Sequence, residues 1–229
     1  MPILIKLSEV GKMLDFSILI NHFDMYWDGF KITLLISLIA LIASFFIGAI
    51  VAVMRILPVA PIRWLAIAYV EFFRNIPLLV IAFFFYFGTP ALGLQFSGFT
   101  AGTIALTIYT SAFIAEAIRS GILAVPKGQM EAARSSGLGY AQTMRMIILP
   151  QAIKIVVPPI GNQFINLVKN SSILALIAGT ELMYQADLIS AKTYVVFDVY
   201  IFVAFFYLII TIPLSIGVNY LEKRLAKSH

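Results

Sequence analysis

Five long apolar segments follow one another along the chain, and shorter stretches between them carry most of the charge. A helix needs about 20 mostly apolar residues to cross the hydrocarbon core of a bilayer, and each segment meets this length. The fourth segment contains Pro158, Pro159 and Gly161, which predict a break in its helix. The sequence therefore predicts an all-α polytopic membrane protein with transmembrane helices at about 30–54, 64–88, 98–118, 152–179 and 194–218.

The composition agrees with a bundle of lipid-facing helices. Of the 229 residues, 61% are hydrophobic and 12% are charged, and the charged fraction is about half of that in a soluble domain. The chain has no cysteine, which excludes a disulfide framework and a thiolate metal site. We find no cluster of His, Asp and Glu with metal spacing, and we predict neither a metal nor a cofactor.

Lysine and arginine are concentrated in alternate segments, and this sets the predicted orientation. Ten of the 16 basic residues lie in 55–63, in 119–154 and in the tail from 223. The other two loops differ, because 89–97 has no charge and 180–193 holds two acids against one lysine. Basic residues favour the cytoplasmic side, so we expect the N-terminus outside and the C-terminus in the cytoplasm of a bacterial cell membrane. Topology thus explains the net charge of +5, and a nucleic-acid partner is not predicted.

The chain divides into one membrane domain and two short ends. An external or interfacial segment, 1–28, precedes the transmembrane domain, 29–222, and a cytoplasmic tail, 223–229, follows it. Acidic and aromatic side chains in the first segment suit the membrane interface: Asp15, Asp24, Asp28, Phe23, Tyr26 and Trp27.

The longest loop, 119–151, is predicted to fold into two short helices. The first runs from about 127 to 136 after Pro126, and Gly137 supplies a left-handed C-cap. The second runs from about 140 to 149 and ends at Pro150. We call this pair of helices with its glycine hinge the elbow, and we expect it to be rigid.

The elbow carries a motif of known spacing. Glu131-Ala132-Ala133 is followed after three residues by Gly137, and after nine more by Ile147-Ile148-Leu149-Pro150. This pattern resembles the EAA loop of ABC importer permeases at every position. The resemblance covers roughly residues 28–222, and stretches such as VEFFRNIPLLV are similar to the polar amino acid permeases of the histidine, glutamine and arginine importer type.

The resemblance implies the type I ABC importer permease fold and a set of partners. Two such permeases, identical or similar, pair in the membrane above two ATPase subunits, and an external binding protein delivers an L-amino acid. The implied contact with the ATPase comprises Glu131, Ala132, Ala133, Gly137, Leu149 and Pro150. The alanines are small enough for close approach. The sequence has no Gly-x4-Gly-Lys-Ser/Thr string, so ATP hydrolysis belongs to another chain and this one is not an enzyme.

Polar residues inside predicted spans are costly and therefore candidate sites. On span four, Asn162, Asn166 and Lys169 fall within about 60° of one another at 100° per residue. This stripe faces either the translocation path or a hydrogen-bonded seam between the two permeases. The candidate path residues are Asn162, Asn166, Lys169, Asn170, Ser171, Glu71, Arg74, Thr110 and Glu116.

Several of these residues have a structural alternative. Glu71 and Arg74 can neutralise each other as an i, i+3 pair, and Thr110 belongs to a hydroxyl face that suits helix packing. Glu116 and Arg119 suit a gate or an anchor. Lys169 either holds a substrate carboxylate, pairs with Glu116 or Glu71, or extends outward along the seam.

The sequence analysis leaves three rival functions. The first is the same importer for another small solute, such as an osmolyte or an opine. The second is a passive channel or membrane scaffold without an ATPase. The third, a membrane enzyme, lacks a catalytic cluster, since the only histidines are His22 and His229 near the termini.

Overall fold

A computed structural model describes residues 14–226, so the expectations for 1–13 and 227–229 lie outside the described residues. Within the described part the chain is helical and has no strand, which confirms the predicted all-α class. The α-helices are α1 Phe16–Asn21, α2 Phe23–Ile56, α3 Ala60–Asn75, α4 Leu78–Phe83, α5 Gly98–Ala124, α6 Lys127–Ser135, α7 Tyr140–Thr143, α8 Leu149–Asn170, α9 Leu182–Thr193 and α10 Phe197–Ala226.

Four helical stretches are long and apolar enough to cross a membrane. They are Phe23–Ile56, Gly98–Ala124, Tyr140–Ile177 and Phe197–Leu225, and each contains or largely overlaps a predicted span. The remaining predicted span, 64–88, is not one straight helix, because α3 and the segment Leu78–Leu92 meet at 104°. A fifth crossing exists only if these two halves are counted together.

The bend has a local cause at Pro77. The residue before a proline avoids helical dihedrals, and Ile76 is extended at φ −104° and ψ 135°. The side chain of Asn75 donates to the carbonyl of Glu71 at 2.6 Å, which satisfies an acceptor at the end of α3. Helix α3 therefore ends before Pro77, and α4 starts in a new direction.

The bundle is built around α2 and α5, which pack along each other. At Gly48 of α2, an added Cβ would lie 2.9 Å from the carbonyl oxygen of Ser111 on α5, so only glycine permits this close approach. Farther along, Ile36 and Ala40 of α2 share a buried cluster with Ala105 and other residues of α5. Helix α8 then packs on α5 and on α10.

The predicted break at Pro158 and Pro159 is wrong. Helix α8 runs through both prolines from Leu149 to Asn170. Prolines are tolerated in membrane helices when neighbouring helices support the backbone, and α8 is held on two sides. Ile160 packs with Ile114 of α5, and Gly161 lies against Val218 of α10. The geometry changes only after Asn170, where a 3-10 helix spans Ser171–Ile177.

The first limb of the elbow agrees with the prediction. Helix α6 spans Lys127–Ser135, and Gly137 is left-handed at φ +89°. Leu138 N–H donates to the Ala133 carbonyl at 3.1 Å, and Gly137 N–H donates to the Arg134 carbonyl at 3.0 Å. These two bonds form a Schellman motif, which fixes the turn between the limbs.

The second limb does not end at Pro150 as predicted. Helix α7 passes into a π-helical turn, Met144–Ile148, and this turn leads directly into α8. A π turn widens the backbone where a proline removes a regular hydrogen bond. The side chain of Gln151 donates to the Ile147 carbonyl at 2.8 Å. The second limb and span four are therefore one continuous rod, Tyr140–Ile177.

The last residues of the first segment, 1–28, belong to α2. Helix α2 begins at Phe23, so Tyr26 and Trp27 belong to its first turns. Trp27 is exposed, but Tyr26 is fully buried and donates from its hydroxyl to the carbonyl of Val199 at 3.3 Å. Tyr26 therefore joins α2 to α10 inside the bundle.

Candidate functional site

The elbow presents most of its motif residues on its outer surface. Glu131, Ala132 and Gly137 are exposed on α6 and its cap, and Leu149 and Pro150 are exposed at the start of α8. The Schellman turn and the hydrogen bond from the Ser136 hydroxyl to the Ala132 carbonyl, at 3.0 Å, hold this surface in one shape. A preformed surface of small residues is suited to insertion into a groove of a partner.

Ala133 faces inward, unlike the sequence-based expectation for both alanines. It is 8% exposed. Met130, one turn earlier on the same face of α6, packs in the cluster around Val125, Ile148 and Ala152. Ala133 therefore lies on the inner face of α6, whereas Ala132 remains exposed for an external contact.

Glu116 is the centre of a charge cluster at the end of the bundle nearest the elbow, which we call the elbow end. Its carboxylate accepts from Arg55, the second-last residue of α2, and from Arg119 Nη2 at 2.6 Å. Arg74 Nη1 lies 3.9 Å from the same carboxylate, and Ser120 donates to it at 3.1 Å. The cluster ties α2, α3 and α5 together, which favours the anchor interpretation of Glu116 and Arg119.

The predicted pair between Glu71 and Arg74 does not form among the described residues. Arg74 turns to Glu116 instead, and its guanidinium lies 5.4 Å from the ring centre of Phe113. Glu71 is exposed. The bend at Pro77 explains this result, because α3 crosses α5 near the elbow end rather than continuing through the bundle.

The polar stripe of α8 points away from the packed core. Asn162, Asn166 and Lys169 are exposed, Asn170 is half-buried, and Ser171 is buried with its hydroxyl on the carbonyl of Val168. The opposite face of α8 packs on α5 and α10. The stripe is therefore free to face water or a second permease.

Lys169 lies near the end of the bundle remote from the elbow, which we call the far end. It is the second-last residue of α8, and its neighbour Val168 packs with Phe30 from the first part of α2. In the described part of the chain, Lys169 has no ion pair with Glu116 or Glu71. It lines a groove of about 500 Å³ together with Tyr200, Tyr207 and Thr211.

Thr110 does not join this stripe. Thr107, Thr110 and Ser111 are buried in the packing of α5. The Tyr69 hydroxyl of α3 lies 2.7 Å from the Ser111 hydroxyl, so this face contains a hydrogen-bonded contact between α3 and α5. This arrangement favours the packing interpretation of the hydroxyl face.

Comparison with known proteins identifies the class. A family model described as the inner membrane component of binding-protein-dependent transport systems matches residues 44–227. The probable glutamine ABC transporter permease protein GlnM of Bacillus subtilis (strain 168) is 71% identical over 213 residues, covering 93% of this chain and 99% of that relative. The chain belongs to this permease family.

Other comparisons agree with this assignment. The glutamate transport system permease protein GluC of Corynebacterium glutamicum is 36% identical, covering 86% of this permease and 92% of that relative. A crystal structure of an amino acid ABC transporter with histidines matches with a TM-score of 0.88 and 38% identity, over 93% of this chain and 100% of the other. The permease is the membrane subunit of an ABC transporter, and ATP hydrolysis belongs to a separate subunit.

The sequence analysis did not identify the structural roles of two polar residues of the permease. Arg55 was counted with the basic segment 55–63, but its pairing with Glu116 depends on tertiary structure. Glu181, between the fourth and fifth spans, is fully buried. It caps α9 by accepting from Met183 and Tyr184 N–H at 2.8 and 2.9 Å, and Tyr207 donates to it at 3.0 Å. An acid directly before a helix indicates such a cap.

Burial is the largest influence on the pKa of Glu181. It raises the pKa of this carboxyl to about 7, against the smaller opposing effect of the three hydrogen bonds. No group of three or more His, Cys, Asp or Glu side chains in residues 14–226 is arranged to hold a metal ion.

Proposed function

We propose that this permease forms half of the path by which an ABC importer moves an L-amino acid, with glutamine as the first candidate, into a bacterial cell. The observation that carries the proposal is the exposed stripe of Asn162, Asn166 and Lys169, which lies on the same continuous rod as the second limb of the elbow. The 71% identity to a probable glutamine permease supports the choice of substrate.

The chemistry of the stripe matches a zwitterionic solute. The ammonium of Lys169 is suited to a substrate carboxylate, and the amide oxygens of Asn166 and Asn170 are suited to a substrate ammonium. A glutamine substrate also carries a side-chain amide, which can both donate a hydrogen bond to the amide of Asn162 and accept one from it. Each contact replaces part of the hydration that the solute loses in a narrow path.

Coupling in this proposal runs through the elbow. The outer surface formed by Glu131, Ala132 and Gly137 docks on one of two ATPase subunits, and Leu149 and Pro150 lie where the docked limb enters α8. A second copy of the permease, or a close homologue, completes the path against the stripe. A binding protein delivers the solute at the far end.

The orientation follows from the distribution of charge. The elbow end carries Arg55, Arg74, Arg119 and the basic residues of the elbow itself. Basic segments are retained in the cytoplasm, so we place the elbow and the C-terminus there and the far end outside. This orientation puts Lys169 close to the side from which a binding protein releases its solute.

Transport measurements in vesicles test the proposal. The permease is reconstituted with a second copy or a close homologue, an ABC ATPase and an amino-acid-binding protein from the same bacterium, and ATP-dependent uptake of labelled glutamine is measured. Unlabelled glutamate, arginine, glycine betaine and octopine then compete in separate assays. We expect glutamine to be taken up and to compete best. Stronger inhibition of this uptake by glycine betaine or octopine than by unlabelled glutamine would replace the amino acid with an osmolyte or an opine.

A further inference from the structure

A cavity of about 370 Å³ lies between the elbow and the ends of α2 and α5. Both limbs of the elbow contribute to its wall, through residues such as Lys127 and Tyr140. Arg55 of α2 and Arg119 of α5 line it from the bundle. The cavity is large enough for a small ligand group, and it sits where the moving elbow meets the membrane spans.

The charges around this cavity favour an anion. Arg55, Arg119 and Lys127 line it, and no carboxylate does. Glu116 neutralises part of this charge by accepting from Arg55 and Arg119, but it lies outside the lining. Glu71 also acts on Arg119 from outside the lining, and Arg74 adds a cation beside Glu116, so four cations against two carboxylates leave a positive excess around the cavity.

A second observation comes from Arg55 itself. Its side chain is 8% exposed, and its Nε–H finds no hydrogen-bond acceptor within residues 14–226. A buried donor on a charged group is costly to leave without an acceptor. Glu116 satisfies another nitrogen of the same guanidinium, so an additional acceptor beside Arg55 would complete its hydrogen bonds.

The rest of the cavity wall is apolar, which favours a lipid over a soluble anion as the ligand. Ile122, Leu123, Met130 and Met144 line the cavity beside the cations. Leu123 is largely exposed at the surface of α5, where the bundle is apolar toward the bilayer. A free phosphate would leave this apolar surface uncovered, whereas a phospholipid would place its phosphate on the cations and its chain on the apolar side.

We propose that this cavity binds the phosphate headgroup of an anionic phospholipid, with Arg55, Arg119 and Lys127 as the headgroup ligands. Basic pockets between membrane helices on the cytoplasmic side bind anionic headgroups by this chemistry. The lipid bridges the elbow and the bundle, so its presence stabilises their relative position.

A lipid titration tests the proposal on the full-length permease. The protein is purified in an uncharged detergent and titrated with phosphatidylglycerol or with phosphatidylcholine of the same acyl chains. Retained lipid is counted by native mass spectrometry. We expect one phosphatidylglycerol to be retained in preference to phosphatidylcholine, and we expect Lys127→Gln to weaken its binding about fivefold. Equal retention of the two lipids would overturn the proposal.

Matched variants separate the cavity from general surface charge. Arg145 is exposed on the same elbow but does not line the cavity, so Arg145→Gln should leave lipid retention unchanged. An equal loss in both variants would indicate nonspecific attraction and overturn the proposal. Arg55→Gln should weaken binding further, but it also breaks the contact with Glu116, and the exposed Lys127 therefore provides the decisive variant.

Two additions to the titration distinguish other occupants. Inorganic phosphate at millimolar concentration should not displace the lipid, and displacement would assign the cavity to a soluble anion instead. Assembly with the ATPase should leave the lipid in place. Release of the lipid on assembly would show that an acidic group of the ATPase occupies the cavity, which would also overturn the proposal.

Discussion

Arg74 at the end of α3 lies 3.9 Å from Glu116 of α5, although the sequence places Arg74 in the middle of an apolar segment. This pair locates the end of α3 beside Arg55, where α2 ends. Arg74 is therefore part of the charge cluster at the elbow end. It is not a polar group in the central part of the bundle.

Glu116→Gln should destabilise the permease, because it leaves Arg55 without its carboxylate in a buried position. Loss of one partner of a buried ion pair costs about 3–5 kcal/mol, and the 18% exposure of the Glu116 side chain lowers this to roughly 2 kcal/mol. Thermal unfolding in detergent measures the change. Glu222→Gln is the matched control, since Glu222 is exposed near the end of α10 and forms no ion pair within residues 14–226, and this variant's unfolding temperature should stay unchanged.

Ala132→Asp and Ala133→Asp should fail in different ways. The exposed Ala132 variant should fold normally but lose its ATPase in pull-down and lose transport, because a carboxylate obstructs the docking surface. The buried Ala133 variant should lower the unfolding temperature of the permease itself, because an unpaired buried charge costs several kcal/mol. A stable Ala132 variant that retains its ATPase would remove this residue from the coupling surface.

Lys169→Met should abolish most substrate-stimulated ATP hydrolysis while expression and assembly stay normal. Lys169 is exposed and has no carboxylate partner in the described part, so its loss leaves no buried charge behind. The control is Lys192→Met, an exposed lysine on α9 that lies off the stripe. Poor expression of the Lys169 variant would support a structural role, and normal uptake would remove Lys169 from the path.

The stability of the permease should fall as pH rises from about 4.5 to about 7. Glu181 has a pKa of about 7 in the folded protein against 4.5 for an ordinary Glu, so the folded state binds more protons over this range. The loss amounts to roughly 3 kcal/mol and levels off above pH 7. Unfolding temperatures at pH 5 and pH 8 measure it. Glu181→Gln should flatten this dependence, whereas Asp24→Asn, at an exposed position of α2, should not.

Cysteine labelling tests the orientation, and the natural chain has no cysteine to interfere. Gln95→Cys should react with a membrane-impermeant maleimide added to intact cells, and Ser135→Cys should react only after the cells are opened. Both positions are exposed. Gln95 is preferable to Ser97, because the Ser97 hydroxyl caps α5 by accepting from Thr100 N–H at 3.2 Å. The reverse labelling pattern would invert the topology.

The sequence was sufficient for features that depend on local chemistry. Gly137 takes the left-handed cap because glycine alone adopts that conformation freely, and the spacing from Glu131 to Pro150 follows from the motif. Proline was less informative. Pro77 lies at a sharp bend, while Pro158 and Pro159 lie in a continuous helix, because packing on α5 and α10 supports only the latter pair.

The orientation of Ala133 also required the structure. Its burial depends on where the second limb runs, and that path depends on the π turn before Pro150. Met130 and Ala133 share one face of α6 at i, i+3 spacing, but so short a pattern does not tell which face packs on the second limb. The same limitation applied to Glu181, whose burial comes from helices distant in sequence.

The helical rod from Tyr140 to Ile177 connects the second limb of the elbow directly to the polar stripe of α8. Tyr140 and Lys169 are 29 residues apart, or about 45 Å at 1.5 Å per residue. A tilt of about 10° at the elbow therefore displaces Lys169 by roughly 8 Å, which is more than the width of an amino acid side chain. In the proposed function, a small rotation of the second limb at one end of the bundle would therefore move the stripe at the other end.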